Sequence, residues 1–217
     1  ALVFIIFSIV FWALYEQAGG SLSIFALNNI RHELLGFIPM DPNVVNNGAN
    51  ALFVILFAPL IGLLWIWLGK RKLEPNSVVK FGLGFLLLGA AFYVFYSTVF
   101  FATTDGMTSM NVFTAAYLVI TLGELCLSPI GLSLMTKLSP QSIQGLMMGM
   151  WCLASAYGQY FAGLLGAEIS VPDATPNLGK LIAYTNGYKE FALYGVLLGI
   201  ALIAVSPLIR KLMKGVH

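Results

Sequence analysis

The sequence predicts an all-α, polytopic membrane protein, and three observations lead there. Hydrophobic residues make up 59% of the chain and charged residues 9%, with a mean hydropathy of +0.89, more apolar surface than a water-soluble domain can hide. Four uncharged runs, Asn43 to Gly69, Phe81 to Thr104, Leu138 to Ala167 and Phe191 to Ile209, each reach the roughly 18–20 residues that cross a hydrocarbon core as a helix. Two more, Ala1 to about Asn28 and Met110 to Leu138, are apolar except for Glu16 and Glu124 at membrane depth. The six runs predict six transmembrane helices. A β-barrel would instead alternate polar and apolar residues in segments of about ten.

Charge placement gives an orientation. Lys70, Arg71, Lys72 and Lys80 lie between the second and third runs, Lys137 ends the fourth, and Arg210, Lys211 and Lys214 follow the sixth. These fall on one side; Arg31, Lys180 and Lys189 fall on the other. The positive-inside rule assigns the richer side, with both chain ends, to the cytoplasm. The net charge of +2 therefore reports topology and not a nucleic-acid surface. Cys126 and Cys152 sit inside predicted helices, without the spacing of a disulfide framework or a CxxC metal site, and read as packing residues. No signal peptide precedes the first run, and the chain opens on Ala1-Leu-Val-Phe, as a piece of a longer polypeptide would.

The first helix carries Phe11-Trp-Ala-Leu-Tyr-Glu-Gln-Ala-Gly-Gly20. Trp12 and Glu16 stand four apart, and Gly19 and Gly20 follow, so a ring and a carboxylate flank a notch open to another helix. Trp12 reads either as part of that face or as an anchor at the lipid interface. Glu16 must be protonated, paired or facing water, and no Lys or Arg shares its depth. The loop from Arg31 to Asn43 is expected to carry a short helix, with His32 an ordinary solvated residue. The second helix opens on Asn46-Asn47-Gly-Ala-Asn50. The Asn50 amide both donates and accepts, which serves a ligand or an interhelical bond equally, and Pro59 is expected to kink the helix. The third helix, Gly- and Phe-rich without acid or base, is expected to face lipid as a scaffold.

The fourth helix holds the densest signal. Glu124 and Ser128 lie four apart on one face, and Pro129 interrupts the backbone ladder just beyond. A charge at the bilayer centre costs at least about 2.5–3.5 kcal/mol, and irregular backbone at that depth is tolerated inside protein or along a water-filled cavity. Together they predict a substrate-contacting cavity. The fifth helix carries Gly145-Leu-Met-Met-Gly149, a small-xxx-small approach motif, then Trp151, which walls a pocket or packs against a neighbour. Ser170 to Lys189 is expected to be a solvated connector, and the last helix, with Gly195-xxx-Gly199, structural.

Four of these stretches closely resemble one family. Phe11-Trp-Ala-Leu-Tyr-Glu-Gln17, Asn50 nine residues before Pro59, Gly123-Glu-Leu-Cys-Leu-Ser-Pro129 with Gly131-Leu-Ser-Leu, and Gly145-Leu-Met-Met-Gly-Met-Trp151 are similar, in order and spacing, to the second half of bacterial-type proton-dependent oligopeptide transporters. These form the peptide-transporter branch of the major facilitator superfamily, and the resemblance covers nearly the whole chain. It implies that residues 1–217 are the C-terminal six-helix bundle, helices seven to twelve, of a twelve-helix carrier. Such a carrier imports di- and tripeptides with protons by alternating access across the inner (plasma) membrane and uses no cofactor. The resemblance further implies that Glu124 meets the peptide's amino terminus and Asn50 its backbone, that Ser128, Trp12 and Trp151 line or close the pocket, and that Glu16 joins Glu124 in proton coupling and gating. The implied partners are peptides, protons, lipid and the N-terminal bundle, with no nucleic acid. That bundle's ExxERF-like cluster and carboxylate-binding lysine match nothing here, and a lone half is not expected to enclose a cavity or to transport.

Two other readings stay open. A facilitator for another solute, if an anion, would want basic residues at membrane depth, and the chain has none there. A non-transporting scaffold would tolerate Gln at both Glu16 and Glu124. An enzyme ranks last, since no Ser/His, paired Asp or His/Glu metal arrangement falls within the helices.

Overall fold

A computed structural model describes residues 2–212, without the side chains of Arg210 and Leu212. Of the charges that set the orientation, Lys214 and the Arg210 side chain lie outside the described residues. The first predicted span is two helices instead of one: α1 (Leu2–Tyr15), a 3-10 turn (Glu16–Gly19) and α2 (Ser21–Asn29). The break falls at Gly20, whose φ of −124° and ψ of −110° leave the helical region while its amide bonds Gln17 O at 3.0 Å. The following loop forms a hairpin, β1 (Glu33–Leu34) against β2 (Ile38–Pro39), where a short helix was expected. Leu35 and Gly36 turn it at positive φ, a conformation a right-handed helix excludes.

α3 (Pro42–Lys70) is capped by the Asp41 side chain, which accepts from Asn43 N, with Pro42 at the first turn, where no amide donor is needed. It runs through Pro59 as one helix. α4 (Ser77–Ser97) is capped by Asn76, and α5 (Met110–Lys137) carries Pro129 inside it. α6 (Gln144–Glu168) and α7 (Asn177–Leu212) complete the bundle. Among the described residues, five segments are long and apolar enough to cross a membrane: Leu2–Asn29, Pro42–Lys70, Ser77–Phe101, Met110–Lys137 and Asn177–Ile209. α6 has the length, at 25 residues, with a more polar composition that includes Gln144, Ser155 and Gln159.

The predicted lipid-facing scaffold, α4, is the centre of the bundle. Most of its apolar window is buried, 61%, against 0% for α3. Glycine is the reason. A Cβ on Gly84 would stand 3.0 Å from Gly123 O of α5, and one on Gly89 only 2.7 Å from Val196 N of α7. Gly195 and Gly199 return the approach from α7, and Phe81, Phe85, Phe92 and Phe95 fill the interior around them. Gly145 and Gly149, the expected approach motif of α6, meet nothing within 4 Å. The glycines that α6 does use are Gly158, where a Cβ would fall 2.3 Å from Trp12 Cβ, and Gly166, where one would fall 3.3 Å from Gln17 Oε1.

α7 starts at Asn177, well before the predicted Phe191, because Leu181, Tyr184 and Tyr188 recur at helical spacing and are buried. Tyr188 packs against Phe25, Phe92 and Phe95. Lys180, expected in a solvated connector, is 8% exposed and donates to Asn28 Oδ1 at 3.2 Å. Both cysteines are free; Cys126 is buried and Cys152 exposed.

Candidate functional site

Three elements meet around Glu124. α1 ends at Tyr15, α3 brings Asn46 and Asn50 one turn apart, and α5 carries Tyr117, Thr121 and Glu124 at the spacing of one helix face. Tyr15 Oη donates to Glu124 Oε2 at 2.5 Å. Asn50 Nδ2 stands 3.0 Å from the same oxygen, 2.5 Å from Tyr15 Oη and 3.1 Å from Thr121 Oγ1, so two amide protons serve three acceptors. Thr121 donates back to Tyr117 O at 2.7 Å. Tyr117 Oη donates to Asn46 Oδ1, and Asn46 Nδ2 reaches Ala18 O at 2.9 Å, in the turn that follows α1. The network thus runs from the helix break through α3 and α5 and back. A cavity of about 200 Å³ opens on it, lined by Tyr15, Ala18, Gly19, Asn46, Asn50 and Tyr117 among others.

Glu16 is half-buried on the 3-10 turn, one residue from Tyr15, and Gln159 Nε2 of α6 stands 3.5 Å from its Oε1. Among the described residues no salt bridge reaches Glu16 or Glu124. Trp12 is wedged between α1 and α6, set edge-on to Tyr15 at 5.1 Å between centroids, and its buried Nε1 has no hydrogen-bond partner among the described residues. Ser128 is half-buried one turn beyond Glu124 on the same helix face, outside the hydrogen-bonded network. Trp151 stands apart from the cluster. It is 6% exposed, fills the notch at Gly131, where a Cβ would fall 1.9 Å from the ring, and meets Phe81 edge-on at 6.3 Å. Of the two readings for Trp151, this is the packing one.

The structure adds residues that carried no role in the sequence reading. Gln17 is fully buried, donates to Ala162 O of α6 at 3.0 Å and Ala13 O at 3.3 Å, and accepts from Ser21 Oγ at 2.6 Å. It pins the turn that bears Glu16 to α6. Tyr15, Asn46, Tyr117 and Thr121 complete the cluster around Glu124. Tyr117 and Thr121 share the Glu124 helix face, a signal present in their spacing; the Tyr15 hydroxyl gave none.

A bundle of membrane-length helices, with a polar cavity beside a carboxylate-bearing hydrogen-bond network between three of them, defines a polytopic membrane protein. Comparison supplies the family: the chain belongs to the POT family, whose model PTR2 matches residues 1–183. It is 35% identical over 211 residues to the uncharacterized transporter YclF of Bacillus subtilis, covering 96% of this chain and 39% of that protein. It is 37% identical over 172 residues to the peptide transporter YePEPT of Yersinia enterocolitica, covering 77% and 33%. Among solved structures, a peptide transporter POT in complex with sulfate superposes with a TM-score of 0.83 at 30% identity, covering 98% of this chain and 40% of that one. A POT family transporter in complex with 5-aminolevulinic acid gives 0.80 at 28% identity, covering 95% and 40%. Family and neighbours are transporters and not enzymes, and the chain spans about two fifths of their length.

Proposed function

We propose that this chain supplies half of a proton-coupled symporter for di- and tripeptides, as the C-terminal six-helix bundle of a twelve-helix carrier working by alternating access in the inner membrane. Relatives named as peptide transporters and as dipeptide and tripeptide permeases support the substrate class. The observation that carries the reading is the Glu124 cluster. A carboxylate held at mid-helix by Tyr15 and Asn50 beside a cavity is a receptor for a primary ammonium, the group every free peptide presents at its amino terminus. Asn50 engages the cluster through Nδ2, which leaves Oδ1 to accept from a peptide N–H. Ser128 and Trp12 flank the same region, while Trp151 acts on the site through the α5 backbone it packs against.

Glu16 is the second half of the mechanism. It carries the coupled proton on a turn that Gln17 fixes to α6 and that directly follows Tyr15, so its charge state and the occupancy of Glu124 bear on one short segment. The N-terminal bundle closes the cavity from the other side, and the basic ends of the helices keep both termini of this chain cytoplasmic.

Dipeptide-stimulated proton influx into proteoliposomes of the intact transporter, wild type against Glu124→Gln at fixed membrane potential, tests this. Acidification by the wild type that the variant lacks is expected. Wild type without peptide-dependent influx overturns the substrate assignment.

A further inference from the structure

We infer that Tyr15 is a built-in competitor for the substrate's ammonium, a hydroxyl that the amino terminus must displace from Glu124; this rests on the peptide reading above. Tyr15 Oη and Asn50 Nδ2 converge on one carboxylate oxygen, Oε2, at 2.5 Å and 3.0 Å. Tyr15 and Asn50 line the cavity while bonded to Glu124, so an ammonium entering from the cavity reaches that oxygen only by displacing them. The phenol's bond to the carboxylate has one charged partner, whereas an ammonium's has two and adds the direct attraction of opposite charges. A cation therefore dislodges the phenol, and a neutral or blocked amine, offering no more than the phenol already gives, does not.

The local backbone suits such a displacement. Tyr15 is the last residue of α1, directly before the 3-10 turn and the break at Gly20. Its ring is held by Phe11, stacked at 5.7 Å, and by Trp12, neither of which needs the hydroxyl. The released phenol keeps a partner in the Asn50 amide. Because Glu16 is the next residue, movement of Tyr15 is transmitted through the chain to the second acid. Tyr15 is in this sense a specificity and positioning residue: it makes the site select for positive charge and ties that selection to the turn bearing Glu16.

The test is dipeptide affinity of the intact transporter in detergent for wild type, Tyr15→Phe, Glu124→Gln and the double variant. Tyr15→Phe keeps the ring packing and removes only the competing hydroxyl, so it is expected to bind about 10-fold tighter, the equivalent of one hydrogen bond to a charged group. Its transport KM falls, and kcat falls with it because product leaves more slowly. In the Glu124→Gln background, which binds weakly, the same change is expected to bring no gain. Tyr15→Phe binding no tighter than wild type, while Glu124→Gln still weakens binding, overturns the role of Tyr15 and leaves the peptide reading standing. A gain that persists without Glu124 overturns it as well. Wild type that binds no dipeptide sinks the peptide reading and this inference together.

Discussion

Replacing Gln17 with leucine removes three hydrogen bonds at nearly constant side-chain volume, so cavity formation contributes little and the loss reads almost purely as polar contacts. Gln17 is fully buried, and its bonds to Ala162 O at 3.0 Å, Ala13 O at 3.3 Å and Ser21 Oγ at 2.6 Å tie α1, the 3-10 turn and α6 together. Side-chain hydrogen bonds in membrane bundles average about 0.6 kcal/mol, so the three, one crossing to α6 and two made locally within residues 13–21, sum to about 2 kcal/mol. The unfolding free energy of the intact transporter drops by about that amount, read as a lower denaturation midpoint by intrinsic fluorescence in detergent. Transport falls as well, since the loosened turn bears Glu16. A cycle with Ser21→Ala isolates the Gln17–Ser21 bond, whose coupling is expected to reach at least about 0.5 kcal/mol. An unchanged midpoint in Gln17→Leu refutes the idea that Gln17 holds this turn in place.

Three other changes bear on packing. Gly89→Val pushes a Cβ to within 2.7 Å of Val196 N and 2.8 Å of Ala192 O, rigid backbone that cannot yield, and size-exclusion chromatography is expected to show little folded protein. Trp151→Ala empties a nearly closed site against Gly131 and Phe81 and is expected to lower stability by about 3–5 kcal/mol in chemical denaturation; an intact midpoint with impaired peptide binding would favour a direct ligand role instead. Asn46→Leu strands the buried Tyr117 hydroxyl, a loss of about 1–3 kcal/mol that Tyr117→Phe in the same chain should largely restore.

The all-helical membrane architecture was legible in the sequence because it is a composition effect: long apolar runs declare themselves, and Glu124 stands out as an acid inside one. The family resemblance rested on the same residues. What escaped depends on approach between distant parts of the chain. Tyr15 looks like any aromatic in an apolar helix until α5 brings Glu124 to its hydroxyl. α4 reads as lipid-facing because it has no charge, yet its glycines admit α5 and α7 so closely that it becomes the core. Gly19-Gly20 reads as a notch for a neighbour, and the backbone uses Gly20 as a break. The early start of α7 was readable: Asn177, Leu181, Tyr184 and Tyr188 keep one helical face through a stretch whose prolines and charges suggest a loop.

The measurement closest to the central claim, that Glu124 receives a peptide's amino terminus, is uptake of a dipeptide against its N-acetylated form by the intact transporter in proteoliposomes under an inward proton gradient. The free amine is expected to be taken up and the acetylated form to be nearly excluded, with Glu124→Gln erasing the difference by losing the free-amine uptake. Equal uptake of both forms by the wild type would contradict the account.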